Sequence, residues 1–439
     1  MSSDTLFPIT PSSRPPSPRD EDRGAPRIRE ADRRQVELRA CDLESLLPAD
    51  HAARAIWAVV AKLDLSRFYA PIQARGSEPG RPATDPRILV ALWLYATNQG
   101  VGSARELERL CEAHDAYRWI CGGVSVNHHT LGDFRVDHGA ALDELMTQVL
   151  GVLMHQGLLS LRRTVQDGTR VRASAGAASF RREPSLKKCL AAARTQVARA
   201  KWQAEQPPDE RTARERAAQE RAAREREARV TRALAELPKV QAVKPTAEKK
   251  EQARVSTTDA EARVMKMADG GFRPAYNVQL ATDTESRVIV GVAVTNVGSD
   301  RREMQPMLKQ IESRTGVKPK QHLVDGGYAT RKNIDAASAQ GIEVFAPVKK
   351  TRAPVENRHE AKPKDTAAVT EWRIRMGTEE AQATYRERAA TAETVNADLK
   401  CWRGLDRFGV RGITKVLAVS LWSALAYNVM RALALGAFG

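Results

Sequence analysis

Two aspartates stand in like surroundings. Asp167 in RRTVQDGTRV and Asp325 in KQHLVDGGYA each follow a short apolar run and precede a glycine. Both runs read as strands that end at the acid, and functional groups gather at strand ends of an open α/β sheet. Glycine next to the acid lets a bulky charged ligand approach the backbone closely. An Asp-Gly turn with no further role is the other reading of either residue alone. As a pair they suggest more, because two carboxylates on neighbouring strand ends repel unless a cation lies between them. Hard divalent cations such as Mg²⁺ take oxygen ligands of this type.

A third carboxylate comes from YRERAATAETVNADLK, residues 385 to 400. On a helix Lys400 lies close to the face of Glu393, about two turns on, with Tyr385 and Arg388 upstream. Asp167, Asp325 and Glu393 together could hold two metal ions, the arrangement that activates water and stabilises the leaving oxygen in phosphodiester displacement. Arg388 and Lys400 could bind the flanking phosphates. A salt-laced surface helix is the alternative reading of this segment. Among the other acids, Asp283 could join the metal site or cap a turn. Asp259 and Glu261 read as ordering a loop, and Asp300 as the N-cap of a helix.

Composition narrows the partners. The 439 residues carry a formal charge of +16 and a pI near 9.8, which favours a polyanion, nucleic acid before an acidic membrane surface. The start, MSSDTLFPITPSSRPPSPRDEDRG, has no apolar core that could serve as a signal. The apolar run from 416 to 435 is interrupted by Ser420, Ser423, Asn428 and Arg431, so it reads as a core helix rather than a membrane span. A cytoplasmic protein without membrane attachment is expected. The five cysteines are scattered and suggest no disulfide framework. The spacings of Cys111, His114, Cys121, His128 and His129 fit no zinc pattern.

The elements that must position the acids follow from periodicity. Residues 1–34, rich in Pro, Ser, Arg and Asp, read as a disordered basic arm. Residues 35–155 show apolar positions at three- and four-residue spacing, an all-helical domain. Within it VSVNHHTLGDFRVDHG, with Ser125 and Thr130 as capping candidates, reads either as the second half of a helix-turn-helix or as part of a structural bundle. Residues 181–255 are rich in Ala, Arg and Glu. They read as a charged helical insertion broken by Pro207, Pro208, Pro238 and Pro245, with a basic surface for DNA phosphates as a second reading. Residues 156–180 and 256–439 hold the strand-like runs FRPAYNVQLATD, SRVIVGVAVTN, QHLVD and IEVFAPV. With the run before Asp167 these make a mixed α/β sheet of about five strands.

These residues carry a family resemblance. GRPATDPRILVALWLYATNQGVGSARELERL, QDGTRVRASA, DAEARVMKMADGGFRPAYNVQLATD, LVDGGYAT and YRERAATAETVNADLK, in that order, resemble segments of bacterial insertion-sequence transposases of the DDE type. The resemblance implies an RNase H-like catalytic domain with Asp167, Asp325 and Glu393 as metal-binding catalytic residues, and Mg²⁺ as cofactor with Mn²⁺ as a substitute. It implies that Tyr385, Arg388 and Lys400 contact DNA, and that a homodimer forms on paired element ends. The partners are then double-stranded DNA at element ends and in the target, cut and joined by hydrolysis and strand transfer. A related metal nuclease that never joins, or a non-catalytic DNA-binding descendant, are the alternatives. One spacing departs from the family signature: four residues, 389 to 392, separate Arg388 from Glu393 instead of three. The six between Glu393 and Lys400 agree.

Overall fold

A computed structural model describes residue 36 and residues 42–76, 82–205, 213–349 and 358–438. The expected basic arm, Pro207 and Pro208 lie outside the described residues.

The first described elements are helices whose ends are marked by short polar caps. α1 (Ala52–Lys62) starts at His51, α2 (Ser66–Tyr69) is one turn, and α3 (Pro86–Asn98) combines an Asp85 cap with Pro86 in the first turn. α4 (Ala104–Ala113) is capped by Ser103, and α5 (Asp115–Cys121) stops at Gly122 in the left-handed region. α6 (His128–Asp137) and α7 (Gly139–His155) follow. The capping expectation at α6 is corrected: Asn127, not Ser125 or Thr130, is the N-cap. Its backbone is extended, and its side-chain oxygen accepts from the Thr130 main-chain N–H at 2.9 Å. The α6 start is further tied to α4, because Glu108 accepts from the His128 amide and pairs with its imidazole.

The sheet follows. β1 (Arg163–Arg172) is succeeded by the two-residue β2 (Phe180–Arg181), the long helices α8 (Glu183–Glu205) and α9 (Ala213–Ala242), α10 (Ala247–Glu251) and β3 (Val255–Ser256), which pairs β2. Pro245 separates α9 from α10, but Pro238 does not break α9, against expectation. Leu237 and Val240 on either side of it are buried against Leu186 and Val255, and this packing offsets the missing main-chain hydrogen bond.

β4 (Arg263–Lys266) turns into β5 (Phe272–Asp283), then β6 (Ile289–Thr295), α11 (Met304–Thr315), β7 (Gln321–Leu323), α12 (Arg331–Ser338) and β8 (Glu343–Phe345). β5 pairs β1, β4 and β6 antiparallel, whereas β1–β7 and β7–β8 are parallel. The order β6–β5–β1–β7–β8 results, with β4 beside the first residues of β5. Helical crossovers α11 and α12 carry the chain to the parallel strands, as that geometry requires. The mixed sheet is RNase H-like.

α13 (Ala367–Arg375), α14 (Glu379–Cys401) and α15 (Ile413–Ala434) complete the chain. α15 is the one helix among the described residues long and apolar enough to cross a membrane, and it is mostly buried within the protein. It packs on α3, α6 and α7 and also on β6. The polar residues that interrupt its apolar run have partners inside: Ser420 and Ser423 bond back to the helix main chain. Asn428 accepts from the Ile289 N–H at 2.9 Å and donates to the Ile289 carbonyl at 2.7 Å. Gln310 on α11 does the same at Val292, and Arg314 donates to the Val290 carbonyl. β6 pairs only β5 among the described strands, so these side chains take the place of a missing neighbour strand.

Asn428→Leu keeps the volume but orphans both main-chain groups of Ile289. We expect a loss of about 2–4 kcal/mol, read as a lower apparent melting temperature. An unchanged melting temperature would show that the amide pair contributes nothing.

Candidate active site

Asp167 does not end its strand, as the sequence suggested, but lies at the fifth of ten residues in β1, opposite Leu280 of β5. Val165 of β1 is opposite Leu323 of β7 in parallel register. Continuing that register by two residues sets Asp325, just past β7, beside Asp167. Side chains alternate between faces with period two, so both belong to the same face of the sheet. Asp325 also serves its own turn, since its Oδ1 accepts from the Gly327 amide at 2.6 Å.

That face is covered by α14. Thr378 caps the helix, and Ala392, Val395 and Leu399 are buried. Arg388 and Asn396, two turns apart, flank Ala392 and reach the same carboxylate. Arg388 Nη2 donates to Asp167 Oδ1 at 2.7 Å and Asn396 Nδ2 to Asp167 Oδ2 at 2.9 Å. Burial pushes the Asp167 carboxyl above the ordinary range; Arg388 opposes that shift and the charge of Asp325 adds to it. Glu393, Asn396, Ala397 and Lys400 fall at helical positions i, i+3, i+4 and i+7, and line a cavity of about 620 Å³ together with Asp167. Glu393 is exposed there. Lys400 is pushed below its usual range by burial, with Asp167 opposing. Tyr385, on the same helix, is pushed up by burial while Arg388 pulls it down.

The acids therefore meet in one region but do not close into a cage. Among the described residues no group of three or more His, Cys, Asp or Glu side chains is placed to hold a metal ion. The Asp167 carboxylate is instead neutralised by Arg388. The donor set nevertheless suits a hard divalent cation: carboxylate oxygens, plus the Asn396 Oδ1 atom, which is buried beside Asp167 without a hydrogen-bond partner.

The opposite face of β1 holds what the sequence did not reveal. Gly168 is a strand residue, and a Cβ there would fall 2.6 Å from Asp300 Oδ1 and collide with the Gln279 amide as well. Its small size makes room for protein, where the sequence suggested room for a ligand. Asp300 is correspondingly not a helix N-cap. It lies in a single 3₁₀ turn (Asp300–Arg302) preceded by Ser299, nearly buried, and accepts from Asn277 at 2.6 Å and Gln279 at 2.7 Å. The signal lies in the alternation of Asn277 and Gln279 with Tyr276, Val278 and Leu280 along the strand.

A chain of hydrogen bonds continues from there under β1. Gln279 accepts from Gln166, Gln166 accepts from His322 Nε2, and His322 Nδ1 faces the Thr164 hydroxyl at 2.8 Å. The Gln166 acceptor assigns the imidazole proton to Nε2. Gly168→Ala is expected to cost about 1–3 kcal/mol by overpacking, measured by thermal denaturation; a wild-type melting curve would show that this layer can shift aside.

The remaining acids have structural partners. Asp283 caps its turn by accepting from the Ser286 amide and hydroxyl. Asp259 accepts from the buried Tyr276 hydroxyl and the Gly412 amide, and Glu261 from the Ile413 amide, which ties their loop to the start of α15. The buried Tyr328 hydroxyl donates to Gln279.

Strand order and acids on adjoining central strands are those of an RNase H-like domain. Residues 245–429 match the family model described as Transposase DDE domain, and residues 41–137 match that described as Transposase domain (DUF772). The chain belongs to the insertion-sequence DDE transposases. The matched spans contain Asp325 and Glu393, whereas Asp167 falls between them. No curated protein and no solved structure matches the chain.

Proposed function

We propose that the protein cuts and joins DNA at the ends of a transposable element, acting in the bacterial cytoplasm, with Asp167, Asp325 and Glu393 as its metal-binding catalytic residues. The observation that carries this reading is the adjacency of Asp167 and Asp325 through strand register, with Glu393 lining the cavity that Asp167 opens into. Mg²⁺, or Mn²⁺ in its place, supplies when bound the lowered water pKa and the positive charge that phosphodiester displacement needs.

The chain's own groups do the rest. Arg388 holds Asp167 charged in the free protein and turns to a phosphate when DNA arrives. Lys400, half-buried without an ion pair among the described residues, takes a non-bridging phosphate oxygen. Tyr385 packs beside Arg388 and steers it. Water attacks at the element end and frees a 3′ hydroxyl, which then attacks target DNA at the same site. No Ser or Tyr nucleophile takes part. Joining two ends requires two active sites, so a homodimer forms on paired ends.

The test incubates purified protein with labelled element-end duplex, a target plasmid and Mg²⁺. We expect 3′-end cleavage followed by joined product. Cleavage without joining would favour a metal nuclease, and binding without cleavage a non-catalytic descendant.

A further inference from the structure

The β4–β5 hairpin leads from the edge of the sheet to the cavity beside Asp167. Its turn closes through the Met267 amide bonding to the Gly271 carbonyl at 2.7 Å, with Gly270 at a positive φ. Lys266 lines the cavity along with Arg170 and Lys400, so three cations share it with Asp167 and Glu393. Arg170 is engaged, donating to the Gly298 carbonyl at 2.9 Å and standing 3.5 Å from Asp300. Lys266 and Lys400 make no ion pair among the described residues. Directly opposite Lys266 in antiparallel register stands Phe272, 70% exposed. Opposed residues project from the same face of a β-ribbon with their Cβ atoms about 5 Å apart. A large apolar ring left in solvent next to an unpaired lysine, at the mouth of an acid-and-base cavity, is an unsolved packing problem for the free protein.

The geometry points to this hairpin as the holder of an unpaired DNA strand at the element end, with Phe272 stacking on a base and Lys266 taking the adjoining phosphate. The inference rests on the transposase reading and adds to it the residues that select a frayed end. Aromatic rings accept any base face, and the positive charges beside them track the backbone, the combination by which single strands are bound. A cavity of about 620 Å³ is within the usual small-ligand range of roughly 300–1,000 Å³, room for a nucleotide unit.

Both side chains are exposed, so their substitution should leave folding intact, checked by an unchanged melting curve. Binding is measured by fluorescence anisotropy in EDTA over a salt series, on one duplex with a short unpaired 3′ tail and one that is blunt. Wild type should prefer the tailed duplex. Phe272→Ala should cut that preference by about fivefold or more, and Phe272→Tyr should restore it. Lys266→Glu should weaken tailed binding and flatten its salt dependence by about one phosphate contact. Wild-type preference and salt slope in both variants, or a wild type that binds both duplexes equally, overturns the assignment of the hairpin alone. A wild type that binds neither duplex overturns the transposase reading and this inference with it.

Discussion

Asp167→Asn, Asp325→Asn and Glu393→Gln are each expected to lower DNA cleavage by at least about a thousandfold, while the affinity for end DNA stays within about threefold of wild type. Each substitution removes one charged oxygen donor and changes little volume. The phosphate contacts proposed for Arg388 and Lys400 are untouched by these substitutions, and contacts of that kind supply most of the affinity for DNA. Asp167→Asn carries one added consequence, because it releases the guanidinium of Arg388 from its 2.7 Å pair. That variant should therefore bind DNA slightly more tightly than the other two. The readout is a labelled-end cleavage assay paired with an equilibrium binding curve. Full cleavage by any one variant would remove that residue from the proposed set of metal ligands.

The second large effect concerns pH. His322 is fully buried between β1 and β8, and burial pushes its pKa down to about 3. In the unfolded chain its pKa returns to about 6.5. Between those values the unfolded state binds a proton that the folded state refuses, so stability falls as pH falls, at up to about 1.4 kcal/mol per unit. Above about pH 6.5 the contribution is fully present. Over the whole window the loss is on the order of 5 kcal/mol. Carboxylates dominate below about pH 5, and between about 6.5 and 5 His138, also lowered by burial, and the raised Asp167 contribute as well, so the comparison with a variant is what isolates His322. Urea denaturation at pH 7, 6 and 5 should show a steeper pH dependence for wild type than for His322→Gln, which keeps a polar amide near Thr164 and Gln166 and cannot titrate. Parallel slopes would mean that the imidazole takes up its proton in the folded state too.

How far the sequence reached can be seen in particular residues. The runs around β5, β6, β7 and β8 and the apolar helix α15 were legible because their periodicity is set by burial, which composition records directly. Asp167 and Asp325 were legible as a pair through their shared apolar-Asp-Gly pattern. That Asp167 sits in mid-strand was not, since Gly168 imitates a turn and only the cross-strand partners Gln279 and Asp300 show why a side chain is excluded there. Asn396 is hidden in the sequence for a different reason. A lone amide on a helix face looks like solvent decoration until the strand that it meets, 229 residues earlier, is in place. Asp300 resembles a cap because sequence shows the helix it precedes and not the polar layer it completes. Non-local pairing is the common cause: each missed role depends on a partner far away along the chain.

The side chains of Asn428, Gln310 and Arg314 seal the border strand β6 against company. An unsealed border of this kind is a template on which a second chain can add itself, the route to aggregation. It follows that α15 guards solubility as well as shape, and that the proposed pairing of two copies on DNA would use surfaces other than this rim. Chains shortened before residue 413 should therefore precipitate rather than merely soften.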